Sequence, residues 1–147
     1  MSTSKHLGIR DAVAALYAAS TALAGGRIYE NRDYPLQQGV ASHIQVYRLQ
    51  STPERSLIGP TAPIDWTTDI RTVIKARKDG SSSAEAIADD IACACYARVM
   101  ADQTLGGLCQ LLDPSQFVWT QDEADSNVVM AVWDIRVVHR TDNNLIT

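Results

Sequence analysis

The chain has 147 residues, of which 46% are hydrophobic and 20% are charged, and its formal net charge is −4. This length and composition predict one globular domain that needs no disulfide or metal to fold. Because the chain is acidic overall, its composition is not that of a nucleic-acid-binding protein, many of which are basic.

The charge is unevenly distributed along the chain. Residues 1–80 contain ten Lys/Arg and seven Asp/Glu, whereas residues 81–147 contain three Lys/Arg and ten Asp/Glu. Such a molecule can associate head-to-tail with copies of itself, and contacts of this kind that close produce rings. The alternative is an uneven solvated surface that serves solubility.

Residues 7–23 predict the first helix, because Ile9, Val13 and Tyr17 recur at helical spacing. Residues 12–24 mimic a signal peptide, but Asp11 and the amphipathic pattern favour a helix of the folded domain. Residues 40–49 predict a strand, and residues 51–65 predict an irregular loop with three prolines.

Residues 66–77 alternate cleanly and predict a strand with one buried face and one wet face. Residues 81–109 carry the strongest helix signal, with a capping box at Ser82 and Glu85 and a glycine pair, Gly106 and Gly107, that ends the helical region. Residues 117–119 predict a short strand and residues 128–140 the longest one. The sequence therefore predicts an α+β fold, with a mainly antiparallel sheet of about four strands and two helices packed on one face.

Two charged groups are candidates for an interface. Arg71, Lys75 and Arg77 form a basic row on one strand face, and Asp122, Glu123 and Asp125 cluster in a hairpin loop. A solvated strand face and a solvated hairpin tip are the simpler interpretations. The spacing of the carboxylates is not that of a calcium-binding loop, so no metal site is predicted.

The cysteines and histidines give no catalytic pattern. The three cysteines are Cys93, Cys95 and Cys109. An odd count with two cysteines two apart on a helix predicts neither a disulfide framework nor a metal site, and we expect no cofactor. A nucleophile pair would require Cys109 to meet His43 or His139 in space.

Several stretches of the chain resemble the tail terminator (tail completion) family of long-tailed phages, which includes the minor tail protein U of phage lambda. An Ala-rich opening helix leads into residues 27–36. A strand at residues 42–47 follows, and then the alternating strand that ends near residue 77. The helix at 84–91 then runs into Asp-Gln-Thr-Leu-Gly-Gly-Leu at 102–108, and a strand at 132–141 closes the chain. The order and spacing of these stretches match the family over nearly the whole chain. The resemblance therefore implies a single domain over residues 1–147, with the irregular loop at about 51–65.

The resemblance implies a structural virion protein rather than an enzyme. Members of the family form a hexameric ring that caps the tail tube, stops tail polymerisation and offers the surface that joins the head. The implied partners are copies of the chain itself, the major tail tube protein, the head–tail connector proteins and, transiently, DNA passing through the lumen, with no membrane. The implied location is the neck region of the virion tail, after assembly in the host cytoplasm.

Within that resemblance, the basic row is expected to form a contact or lumen face. The acidic loop would be its counterpart on a neighbouring subunit, and the participation of a divalent cation stays open. Two other functions stay open. One is a different neck or head-completion connector, and the other is a small enzyme or ligand-binding domain that uses Cys109 and a histidine.

Overall fold

The computed structural model describes residues 3–30, 32–54, 59, 61–123 and 125–142. Two helices and five strands follow one another along the chain: α1 (Lys5–Ala18), β1 (Ile28–Tyr29), β2 (Ser42–Glu54), β3 (Ile64–Arg77), α2 (Ala84–Met100), β4 (Leu111–Gln121) and β5 (Val128–Thr141). The α+β class predicted from the sequence is confirmed.

The strands form one open sheet in the order β1-β2-β3-β5-β4. Every neighbouring pair is antiparallel except β1 and β2, which run parallel through Ile28 opposite Ile44. The fifth strand, in addition to the four expected, is the two-residue β1. Strands β2, β3 and β5 pair over 12 to 14 positions and form the rigid centre of the sheet.

Both helices pack on the same face of the sheet, as predicted. A single buried cluster joins Ile9, Val13 and Tyr17 of α1 to Ile91, Cys95 and Val99 of α2 and to the facing strand residues. Trp133 is the largest fully buried side chain of this cluster. We call this side of the sheet the helix face and the opposite side the open face.

The helix boundaries correct three details of the prediction. The N-cap of α2 is Ser83, whose hydroxyl accepts a hydrogen bond from the Ala86 N–H at 3.1 Å, so the capping residue is not Ser82. Helix α1 ends at Ala18, because the next residue, Ala19, is extended with φ of −70° and ψ of 150°. Ser20 then follows in a left-handed conformation with φ of 56°. Gly106 and Gly107 lie in a turn beyond α2 and do not end the helix themselves.

The strands extend further than predicted, which shortens the loop expected at 51–65. Residues 51–54 continue β2 and residues 64–65 begin β3, with Pro53 opposite Trp66. This is possible because β2 borders the edge of the sheet there, where a proline removes no essential ladder hydrogen bond. Residues 55–58 and 60 lie outside the described part of the chain.

A polar network is buried between α1 and three strands. The Ser51 hydroxyl lies 3.0 Å from His6 Nδ1 and 2.8 Å from Thr68 Oγ1, and Thr68 Oγ1 lies 2.8 Å from His139 Nε2. The two imidazole rings meet edge-on at 4.8 Å. Desolvation by burial lowers the pKa of His139 to about 4, with added repulsion from His6 and Lys5. Both histidines are therefore neutral at pH 7.

Acidification is expected to destabilise the protein through this network. The unfolded chain protonates His139 at about its ordinary pKa of 6.5, whereas the folded protein resists protonation down to about pH 4. Stability from this group is thus complete above pH 6.5 and falls as the pH decreases toward 4, by roughly 3 kcal/mol.

Urea unfolding at a series of pH values measures this loss. The His139→Gln variant is the control, because it lacks the titrating imidazole and its stability should depend less on pH between 6.5 and 4. An equal pH dependence in the variant would show that other groups are responsible.

Candidate functional site

The predicted basic row lies on the open face of β3, where each member meets a carboxylate of the same chain. Arg71 makes a bidentate pair with Asp134, which is directly opposite it on β5, through Nε–Oδ1 at 2.8 Å and Nη2–Oδ2 at 2.9 Å. Because the Arg71 guanidinium donates hydrogen bonds to this carboxylate, the pKa of Arg71 is raised further above its ordinary value. Arg71 therefore holds two central strands together.

The other two cations of the row reach the loop between β4 and β5. Lys75 Nζ lies 3.4 Å from Asp122 Oδ2 and donates a hydrogen bond to the Tyr34 carbonyl at 3.1 Å. Arg77 Nη2 lies 3.3 Å from Asp125 Oδ2. The pKa of Asp125 is below its ordinary value, mainly because its carboxylate accepts a hydrogen bond from the backbone N–H of Asn127. The contact with Arg77 makes a smaller contribution in the same direction.

The basic row and the acidic loop are thus brought together within one subunit. The sequence suggested them as counterparts on neighbouring copies, because it does not reveal the order of the strands. The structure shows that β5 and the loop before it lie beside β3. Glu123, the remaining member of the acidic group, is exposed, and none of the ion pairs within the described ranges includes it. A role for these six residues at an interface stays a prediction.

Part of the open face is covered, which corrects the expectation of a uniformly wet strand face. Tyr34 contacts the rings of Tyr29 at 4.4 Å and His43 at 5.7 Å. The Gln45 side chain donates to the Arg32 carbonyl at 2.9 Å. The segment between β1 and β2 therefore folds over this end of the sheet, and Lys75 beneath it is buried.

Strand β4 presents apolar side chains to solvent along one edge of the sheet. Leu111, Val118 and Trp119 are 46%, 42% and 48% exposed. Leu111 and Val118 lie on the open face, whereas Trp119 lies on the helix face, where Tyr96 of α2 is 41% exposed in the wall of a groove that Trp119 also lines. Exposed aromatic groups that lie together, as Trp119 and Tyr96 do, mark contact surfaces more often than isolated ones do. The sequence indicated only a short strand at 117–119. The aromatic residues at alternating positions of this strand were the one sequence feature that could have predicted the exposed surface.

A groove surrounds the Trp119 indole between α2 and β4. Two adjoining depressions of about 430 and 300 Å³ both have Trp119 and Asp89 in their walls. Phe117 forms the floor, because its ring stacks on Trp119 at 5.1 Å and on the buried Trp133 at 5.4 Å. The carboxylates of Glu85 and Asp89 make the rim acidic. An apolar floor with an acidic rim suits a partner that is both apolar and basic.

Neither end of the sheet is closed by another strand in the part of the chain that the structure describes. Strand β4 pairs only with β5, and β1 covers β2 only at residues 44 and 45. Further along β2, the Arg48 carbonyl accepts a hydrogen bond from the Arg32 guanidinium at 2.5 Å. Along this stretch of β2, a side chain therefore takes the position of a neighbouring strand.

The thiol and the imidazoles considered for catalysis have separate partners. Cys109 donates to the Gln103 carbonyl at 3.3 Å, and burial raises the pKa of its thiol. His139 contacts Thr68, and His43 contacts Gln45 at 3.2 Å. Cys93 is exposed, whereas Cys95 is buried with a pKa raised to about 12 by desolvation. Within the described ranges, no group of three metal-ligating side chains occurs, and no helix is long and apolar enough to cross a membrane.

Comparison with known proteins gives likenesses in structure but not in sequence. No family profile matches the chain, and no curated protein matches it in sequence. Among solved structures, it aligns with a chain from the virion of a native gene transfer agent (GTA) particle. The TM-score is 0.49 and the identity 12%, over 90% of this chain and 95% of that one. A likeness at this level assigns neither a family nor a function to the chain.

Reversal of one charge in the Arg71–Asp134 pair is expected to destabilise the fold. Asp134 is largely buried, so Arg71→Glu places two carboxylates together and should lower the free energy of unfolding by about 2 kcal/mol. The measurement is urea unfolding monitored by circular dichroism.

The double variant Arg71→Asp with Asp134→Arg restores opposite charges at the same two positions and should recover part of the loss. Arg136→Glu makes the same charge change at a cation whose side chain is 58% exposed and whose ion pair, with Asp69, is longer at 3.5 Å. A loss no greater for Arg71→Glu than for Arg136→Glu would contradict a structural role for the pair.

Proposed function

We propose that this chain is a structural virion protein that caps the phage tail tube as a homo-hexameric ring. In this role it ends tail polymerisation and forms the surface to which the head joins. The proposed partners are the other copies in the ring, the tail tube protein below it and the head–tail connector above it. The proposed location is the neck region of the virion tail.

The order of the elements supports the proposal. The resemblance rests on a helix, two strands, a second helix that runs into residues 102–108, and a long final strand. The chain folds with its elements in that order, and the 102–108 stretch forms the turn that carries α2 back toward the sheet. The described residues of each stretch that carries the resemblance therefore belong to a defined element or turn.

The surface of the subunit also suits a component of a ring. An open sheet offers two different edges, one at β4 and one at β2, so a contact between them is heterologous. Heterologous contacts generate rings when the rotation closes. The exposed aromatic groove beside β4 supplies apolar area of the kind that interfaces bury.

Loss of the protein is expected to uncouple tail length from assembly. A phage with a stop codon early in this gene should produce tails that continue beyond the normal length and remain without heads, because nothing caps the growing tube. Electron microscopy of infected-cell lysates gives the length distribution, and wild-type protein supplied from a plasmid is the control.

Two outcomes would contradict the proposal. Head-less tails of normal, uniform length, with the protein found on tail-less heads, would identify a head-completion or connector protein instead. Normal infectious particles that lack the protein would exclude a structural role in the virion. The second outcome would direct attention to Cys109, with thiol alkylation as the first test of an enzymatic activity.

A further inference from the structure

We infer that β4 is the strand through which one copy of this protein binds the next, by pairing along the free part of β2 in a second copy. The inference rests on the proposed ring, for which it names the contact between neighbouring subunits. It assigns a partner to the two sheet edges that stay open within the described chain and to the groove around Trp119.

One half of β4 lacks the features with which proteins protect an edge strand. Residues 111–115 contain Asp113, Pro114 and a register shift, all of which discourage pairing with another chain. Residues 116–121 contain no charge and no proline, and they include Phe117, Val118 and Trp119, which favour extended structure. This half is therefore suited to accept a further strand.

The complementary edge lies on the other side of the same molecule. On β2, the Ile44 N–H donates to the Arg27 carbonyl at 2.9 Å. The backbone groups of Ile44 therefore point away from β3, toward the outer edge of the sheet. Further along, the Arg48 carbonyl accepts from Arg32, an exposed side chain that can move aside. A second copy can thus offer the backbone donors and acceptors that β4 needs, in a contact that repeats head-to-tail.

Charge complementarity favours the same pairing. Residues 84–121 contain five carboxylates and one cation, Arg98, whose guanidinium is held by four carbonyls near the end of α1. Arg48 of β2 is opposite the core residue Ile70 and so lies on the helix face. When β2 of one copy continues the sheet beyond β4 of another, Arg48 lies on the same face as Asp89 and Trp119. A cation there gains a carboxylate partner and an aromatic face.

The first test is the mass of purified full-length protein by light scattering over a dilution series. Wild-type protein should associate with increasing concentration. Trp119→Glu removes the central aromatic contact and adds like charge, and it should weaken association by about 30-fold, as loss of a central interface residue does. Val118→Lys tests the open face of the same half strand and should act in the same direction.

Leu111→Glu is the matched control, because Leu111 is on the same strand and about equally exposed but lies beyond Pro114. It should leave association unchanged. Urea unfolding identifies any variant that fails through misfolding, and Val118→Lys then replaces Trp119→Glu as the test. Equal effects at Leu111 and Trp119 would overturn the assignment of the interface to residues 116–121.

Charge reversal identifies the partner surface. Asp89→Arg and Arg48→Glu should each weaken association, and the double variant should restore it, because the charges then meet in the opposite sense. A double variant no better than the singles, single variants without effect, or a wild-type protein that stays monomeric would each overturn the inference. The proposed function is judged separately by tail length, so a ring that assembles through other surfaces would refute only this inference.

Discussion

The structure depends on one constraint, which is that the sheet is open within the described part of the chain. Strand β3 lies at the centre, with β2 on one side and β5 on the other, and both helices cover one face. Among the described residues no strand joins β1 to β4, so the outer backbone groups at each end of the sheet need other partners. At β2 an arginine side chain takes part of that role, and at β4 aromatic residues stand exposed.

Ion pairs on the open face stabilise this arrangement from within. The cations of β3 find their carboxylates on β5 and on the loop that precedes it, so the middle of the sheet is electrically compensated. The acidic excess of the second half of the chain therefore lies mainly on α2 and β4, at one edge of the molecule.

Local patterns were sufficient to predict much of the fold. The alternation in 66–77 and 128–140 and the helical period of residues 84–100 gave the elements and their buried faces, because these signals depend on neighbouring residues alone. Element ends were less predictable. Pro53 suggested a break, but it lies in β2 at the border of the sheet, where a missing N–H costs little. Strand β4 accommodates Pro114 in the same way.

The candidate site was predicted only in part, for a reason that concerns strand order. Arg71 and Asp134 are 63 residues apart in sequence, and nothing local shows that they face each other. The sequence therefore identified the charged residues but suggested partners on other subunits. The groove around Trp119 was missed because it forms only when α2 crosses beside β4, which the pattern of either element alone does not reveal.

Hydrogen exchange of the β4 backbone tests the account most directly, because it reads the open edge itself. In the dilute protein, the outward N–H groups of residues 116–121 should exchange rapidly, since no strand protects them. In the assembled protein, or on purified tails, the same amides should be protected, together with those of β2 beyond residue 45. Assembled protein in which residues 116–121 still exchange rapidly would contradict the account, because the open edge would then have no role in the ring.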